Sequence, residues 1–289
     1  MQRKLHPLEG IVAMGALVLV LFLSVGFAQA QDVRKIALRS SSALVQDAET
    51  GEVVFGKNTD AVVPIASITK LMTAMVILDS GLDLEEKVVL HREDAVAMKG
   101  SRSRLQTGLS ISRGDLLLLA LMSSENRAAA ALGLSYPGGM EVFVDAMNAK
   151  AALIGMHESR FVEPTGLSPA NVSTASDLAR LVRAAHEYPL IREYSTKDRA
   201  AVRATTGRKM RALNYGNTNG LVRSKHWDIE LSKTGYISEA GRCLVMHVRL
   251  ADKDLIVVLL DSWGKHSRVG DANRIRKWLE TGATTGRSS

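Results

Sequence analysis

Pro64-Ile65-Ala66-Ser67-Ile68-Thr69-Lys70, with the apolar run 71–78 behind it, is the stretch around which the chain is organised. Proline suits the approach to a helix, and Leu71, Met72, Met75, Ile77 and Leu78 supply a largely buried helical face. Ser67 then falls in or beside the first turn, with Lys70 three residues on and on the same side. Backbone N–H groups of a first turn have no partner inside the helix, so the N–H of Ser67 is free to meet a developing oxyanion. The positive end of the helix dipole also disfavours a protonated lysine nearby. For Lys70 to act as a base near pH 7, its pKa must fall about 3 pH units below the ordinary ~10.4, a bias of roughly 4 kcal/mol. Dipole, burial and a second cation would have to supply that bias together.

A Ser-x-x-Lys pattern by itself is weak, arising about once by chance in a chain of this length. Ser262-Trp263-Gly264-Lys265 fits it too, but at the end of a strand-like run with Gly in the middle. The Ser67 copy therefore needs support from elsewhere in the chain.

The 289 residues allow one large domain or two small ones, and 46% hydrophobic with 23% charged residues is ordinary globular composition. The start is basic, residues 11–28 are apolar or small, and Ala28-Gln29-Ala30 is a small-x-small site. This reads as a secretory signal peptide over residues 1–30, cleaved after Ala30, and implies a periplasmic setting. An uncleaved anchor helix is the rival reading, although a stop-transfer helix would carry Lys or Arg where Ala-x-Ala stands. Removing Arg3, Lys4 and Glu9 lowers the net charge from +7 to +6, still basic enough to adhere to anionic envelope polymers. The lone cysteine, Cys243, lies in an apolar run and reads as a buried small hydrophobe.

Residues 42–47 and 53–55 flank Glu49-Thr50-Gly51-Glu52 as a hairpin. Residues 84–90 and 104–109 are short extended candidates around the loop 98–101. A helix from Arg113 runs through the leucines to Met122, breaks at Ser123-Ser124-Glu125-Asn126, and is followed by an Ala-rich helix over 127–134. A third amphipathic helix spans 140–154, with Val142, Phe143, Ala146, Met147 and Leu153 on one face. Residues 161–168 form a loop, 176–187 a helix, and 199–214 two polar strands around Thr206-Gly207. Three strands (227–234, 242–250 and 255–261) and a basic helix (268–279) complete the chain. Hairpins rather than βαβ units predict an α+β fold: an antiparallel sheet flanked by helices, plus an all-helical lobe over roughly 67–200. Residues 31–289 are expected to be one catalytic domain, with the site in a cleft between the two parts.

Three motifs can meet there, and acyl transfer gives each a task. Ser67 is the nucleophile and neutral Lys70 its base. Ser124 can relay a proton between Lys70 and the leaving amine, and Asn126 offers an amide to a substrate peptide bond. Lys233-Thr234-Gly235 ends a strand: Lys233 is a fixed positive charge that attracts a carboxylate, Thr234 assists, and Gly235 lets substrate approach the backbone. The N–H of Tyr236 would be the second oxyanion donor beside that of Ser67. Taken singly, Ser124 and Asn126 are ordinary helix caps and Lys-Thr-Gly an ordinary strand end. Taken jointly, in this order and in an exported chain, the functional reading prevails.

Ser67-x-x-Lys70, Ser124-x-Asn126 and Lys233-Thr234-Gly235 resemble the triple signature of penicillin-binding proteins and serine β-lactamases. The wider text (64–75, 121–129 and 161–167) resembles the low-molecular-mass DD-peptidases, above all the D-alanyl-D-alanine endopeptidase subgroup of penicillin-binding protein 7 type. The resemblance implies a β-lactamase/transpeptidase-like fold and hydrolysis of D-alanyl cross-links in peptidoglycan. It further implies β-lactams as inhibitors acylating Ser67, no metal and no cofactor. Carboxypeptidase relatives carry a C-terminal β-domain and amphipathic anchor, whereas this chain ends soon after Leu279; the resemblance then implies at most loose membrane association. A DD-carboxypeptidase is the near alternative. A class A β-lactamase would need a Glu activating the deacylating water, and Glu163, followed by Pro164-Thr165-Gly166-Leu167, reads as structural. A non-catalytic wall-binding module is the alternative from another class, and no nucleic acid partner is expected.

Overall fold

The computed structural model describes residues 36–96, 101–250 and 252–285; the signal peptide expected over 1–30 lies outside them, as do residues 98–100 of the loop before Ser101. A hairpin opens the described chain, β1 (Ser40–Asp47) and β2 (Val53–Lys57), turning at Gly51. Next come the two-residue strand β3 (Val63–Pro64), a 3-10 turn (Ala66–Ile68) and α1 (Thr69–Asp79). The middle of the chain holds β4 (Lys87–Val89), α2 (Arg92–Val96), β5 (Ser110–Ser112), α3 (Arg113–Met122), α4 (Asn126–Leu134) and α5 (Gly139–Leu153). It continues through β6 (Val172–Ser173), α6 (Ala175–His186), α7 (Pro189–Thr196), β7 (Arg199–Thr206) and β8 (Lys209–Gly216). β9 (Asp228–Ile237), β10 (Gly241–Leu250), β11 (Lys253–Ser262) and α8 (Ser267–Thr285) close it.

The main sheet runs β2-β1-β11-β10-β9, antiparallel throughout. Its centre reads as an unbroken apolar run: residues 255–260 of β11 are all fully buried. Alternation would leave one face wet; here α6 and α8 both pack on β1, β10 and β11, and both faces are covered. β9 forms one edge of this sheet and carries Lys233, Thr234 and Gly235. α1 is buried over Thr69–Ile77 without a break, because α3, α4, α5, α6 and α7 surround it. A helix apolar all round belongs in the interior.

A second, four-stranded antiparallel sheet, β4-β5-β7-β8, combines the strand pair expected over 199–214 with β4 and β5, which fall within the lobe expected to be all-helical. Residues 104–109, expected as a strand, are not one: a turn at Gly108 (φ +81°) moves the strand on to Ser110–Ser112. On α5 the buried stripe is Phe143, Met147 and Ala151, while Val142 and Leu153 face water. That helix touches only one side of the bundle, so an i, i+4, i+8 stripe suffices. α7 was not foreseen from the sequence, since Pro189 opens a helix that fully buries only Ile191 and Ser195. Cys243 is buried as expected, and burial pushes its thiol up to about 11.

Candidate active site

Ser67 sits not in α1 itself but in the 3-10 turn that leads into it. The preceding residue, Ala66, has φ +47°, a left-handed conformation that costs a non-glycine residue on the order of 1–2 kcal/mol. The surroundings hold it there. Thr69 Oγ1 donates to the Ala66 carbonyl at 2.8 Å. β3 pairs with β6, and Ile65 N–H donates to Asn171 O at 3.1 Å, tying the turn to the 161–173 segment. Gly166 and Gly235 press on the same backbone: a β-carbon on Gly235 would stand 2.9 Å from Ile65 O and 3.2 Å from Ser67 N.

Lys70 is completely buried, and its amine has three neighbours: Ser67 Oγ at 2.8 Å, Asn126 Oδ1 at 2.7 Å and Thr165 O at 2.5 Å. The last two are carbonyl oxygens and can only accept. A neutral amine gives them its two N–H bonds and keeps its lone pair for the hydroxyl proton of Ser67. Burial lowers the Lys70 pKa to about 8, against the opposing pull of Glu163 and Glu125. Lys233, also buried, is pushed well below its usual range by burial and by the Lys70 and Arg268 cations.

The break between α3 and α4 places the second motif. Glu125 caps α4 by accepting from Ala128 N–H at 2.8 Å, so neither Ser124 nor Asn126 is spent as the cap. Ser124 adopts φ +58° and its hydroxyl accepts from Lys233 Nζ at 2.9 Å. The hydrogen bonds of Lys70 go elsewhere, so Ser124 is joined to Lys233 rather than to the amine it was expected to relay for. Asn126 accepts from Lys70 through Oδ1 and donates to Ser101 Oγ at 3.1 Å. On β9, Lys233 also donates to Thr234 O, and the Thr234 hydroxyl shares a 2.7 Å hydrogen bond with Thr218. Tyr236 is half-exposed, with the Arg242 guanidinium 4.6 Å from its ring centre. A cavity of about 280 Å³ opens beside Ser124 and Asn126, lined also by Arg102, Arg104 and Tyr215.

Sequence reasoning missed Thr165, Thr218 and Arg268, while its structural reading of Glu163 agrees with the geometry. Thr165 supplies a main-chain carbonyl, which no side-chain pattern announces. Glu163 organises that loop: its carboxylate accepts from Thr165 N (2.6 Å), Thr165 Oγ1 (2.5 Å), Gly166 N (2.7 Å), Ser168 N (3.2 Å) and Asn171 Nδ2 (3.0 Å). No acceptor capacity is left over for activating a water. Arg268, at the start of α8, donates to Gly235 O (2.8 Å) and Cys243 O (3.2 Å) and braces β9 from behind the site. Pro and Gly density around Glu163 was a visible signal; Thr218 and Arg268 had none.

Known proteins resemble this chain over most of its length. A D-alanyl-D-alanine endopeptidase of Pseudomonas aeruginosa is 52% identical over 248 residues, covering 86% of this chain and 79% of the relative. One from Escherichia coli is 48% identical over 273 residues, covering 91% and 87% respectively. Among solved structures, the Streptomyces K15 DD-transpeptidase superposes with a TM-score of 0.79 at 27% identity, covering 88% of this chain and all of that one. The family profile described as D-alanyl-D-alanine carboxypeptidase, Peptidase_S11, matches residues 28–264. A match over that span places this chain in the Peptidase_S11 family.

Proposed function

We propose that this chain is a serine DD-endopeptidase that hydrolyses the D-alanyl cross-links of peptidoglycan through an acyl-enzyme on Ser67. The observation that carries the reading is the Lys70 amine, buried, 2.8 Å from the Ser67 hydroxyl and flanked by two carbonyl acceptors. Lys70 takes the hydroxyl proton as Ser67 Oγ attacks the D-alanyl carbonyl. The N–H groups of Ser67 and Tyr236 receive the oxyanion. Burial first, and then the Lys70 and Arg268 cations, hold the Lys233 pKa well below its usual range, so its ammonium is a ready proton donor to the Ser124 hydroxyl that it contacts. Lys233 attracts a substrate carboxylate, and as Ser124 hands its hydroxyl proton to the leaving amine it takes one from Lys233, which balances the proton gained by Lys70. Thr234, held by Thr218, lines the same strand, and Asn126 orients both Lys70 and the substrate amide.

The endopeptidase reading draws on the names of the P. aeruginosa and E. coli relatives. The family description favours a second, close reading, D-alanyl-D-alanine carboxypeptidase. Both start with the same acyl-enzyme, so β-lactams are expected to acylate Ser67 in either case. Residues 31–289 are read as one catalytic domain, exported to the periplasm after cleavage at Ala30. No helix among the described residues is long and apolar enough to cross a membrane. The deciding experiment digests purified cross-linked muropeptides. Release of monomers with terminal D-Ala retained supports the endopeptidase; loss of D-Ala from uncross-linked stems with dimers intact assigns the carboxypeptidase instead. Labelled penicillin followed by peptide mapping tests Ser67 itself, and label on any other residue would overturn the assignment.

A further inference from the structure

A second cluster of chemically competent side chains lies away from Ser67, where the end of α6 meets β9 and β10. His186 Nε2 and Glu230 Oε2 are 2.6 Å apart, His247 Nδ1 and the same oxygen are 3.5 Å apart, and all three ligand atoms fall within 4.8 Å of one another. The two imidazoles stack with centroids 3.8 Å apart and planes 11° from parallel. His247 is buried, and its Nδ1 has no hydrogen-bond partner. A buried orphan nitrogen costs stability and asks for an explanation.

The backbone is arranged to serve this cluster. In the β9–β10 pairing, Leu231 faces His247 and Ile229 faces Val248, so Glu230 is the extra residue of a β-bulge. Bulges re-aim a side chain, and this one turns the Glu230 carboxylate toward the two histidines. The other carboxylate oxygen, Oε1, lies 3.6 Å from Arg249, which is itself paired with Asp254 at 3.0 Å. That leaves Oε2 for the imidazoles. A cavity of about 470 Å³ opens on His186 and Glu230, bordered by Arg192, Glu193 and Thr196.

We propose that His186 Nε2, Glu230 Oε2 and His247 Nδ1 bind one divalent transition-metal ion of the zinc class, clasping α6 to the bulged segment of β9 and to β10. Two imidazoles and one carboxylate with an open fourth position is a donor set that zinc accepts. Zinc–nitrogen and zinc–oxygen bonds of about 2.0–2.2 Å put tetrahedral ligand atoms roughly 3.4 Å apart, between the 2.6 and 3.5 Å spacings of the free cluster. The stacked rings hold their lone pairs in nearly parallel planes, so binding requires one imidazole to turn out of the stack until both lone pairs and Glu230 Oε2 converge on the ion. The metal replaces the proton that His186 and Glu230 share and gives the His247 Nδ1 lone pair a partner. Its fourth position faces the cavity and takes water. Glu230 precedes Lys233 by three residues on one strand, roughly 10 Å, so the ion acts as a tie on β9 and takes no part in the chemistry at Ser67.

Equilibrium dialysis of the chelator-treated full chain against zinc, with metal analysis, tests the site without using penicillin or muropeptides. One bound equivalent at micromolar or tighter Kd, together with a zinc-dependent rise in Tm, is expected. His186→Asn, Glu230→Gln and His247→Gln should each weaken binding at least ~100-fold, beyond the 10–100-fold loss typical of a partner that only orients a ligand. His226→Asn, at an exposed histidine, should leave it unchanged. Cobalt titration of the unaltered chain guards against variants that fail to fold: visible bands of a four-coordinate site support the proposal. No stoichiometric zinc, no such bands, or binding that survives all three substitutions overturns it.

Discussion

Gly166 lies against Ala66 so closely that a β-carbon on it would stand 2.0 Å from the Ala66 carbonyl oxygen and 2.8 Å from Ser67 N. Its φ of +79° adds a second constraint, because a non-glycine residue pays roughly 1–2 kcal/mol in that region. Gly166→Ala must therefore push the nucleophile turn away from the Thr165 loop. An ångström of displacement is worth about 100-fold in rate. Labelled-penicillin acylation should fall by at least ~100-fold and the urea midpoint should drop. Unchanged acylation would mean that the turn does not depend on this contact.

Lys70→Arg keeps the charge and removes the base, since a guanidinium with pKa above ~12 does not deprotonate. Acylation of Ser67 should fall 10²–10⁴-fold, roughly the contribution of a positioned base. Stopped-flow acylation with a chromogenic β-lactam reads the loss. A rate within a few-fold of the starting enzyme would assign the base elsewhere.

The Lys70 pKa of about 8 gives the pH dependence a definite sign. The neutral amine is the active form, so acylation should lose about tenfold per pH unit below 8 and level off above about 9. Stability should move the same way. Between about 8 and the ordinary 10.5, the unfolded chain holds a Lys70 proton that the folded chain has released, so unfolding free energy rises with pH there. Cys243 and Tyr215, pushed by burial up to about 11 and about 12, oppose the trend from about pH 9 and pH 10 upward respectively. Urea midpoints at pH 7.5 and 9.5 should differ accordingly; a lower midpoint at 9.5 contradicts the assignment.

Glu163→Gln leaves at least one of five donors facing an amide N–H, at a cost of about 1–3 kcal/mol for each buried donor stranded. It also removes an anion that raises the Lys70 pKa, so the midpoint of the acylation pH profile should shift down. The lifetime of the penicilloyl-enzyme should be unchanged. A much longer lifetime in the variant would mean that Glu163 activates the deacylating water after all.

Ser67-x-x-Lys70, the helix break at 123–126 and Lys233-Thr234-Gly235 were legible because each is a short pattern whose chemistry resides in its own side chains. The hairpins likewise announced an antiparallel sheet. Even so, a turn at Gly108 displaced a strand, and α7 escaped notice because it fully buries only two residues.

Tertiary structure alone decided the rest. It handed Ser124 to Lys233 instead of Lys70, set the Thr165 carbonyl on the buried amine, and braced β9 with Arg268. It also bulged β9 at Glu230 so that one carboxylate meets two histidines from other elements. The physical reason is common to all of these. Every residue carries a backbone carbonyl, and a glycine or a bulge matters only through what is packed against it, so their roles exist only once distant segments touch.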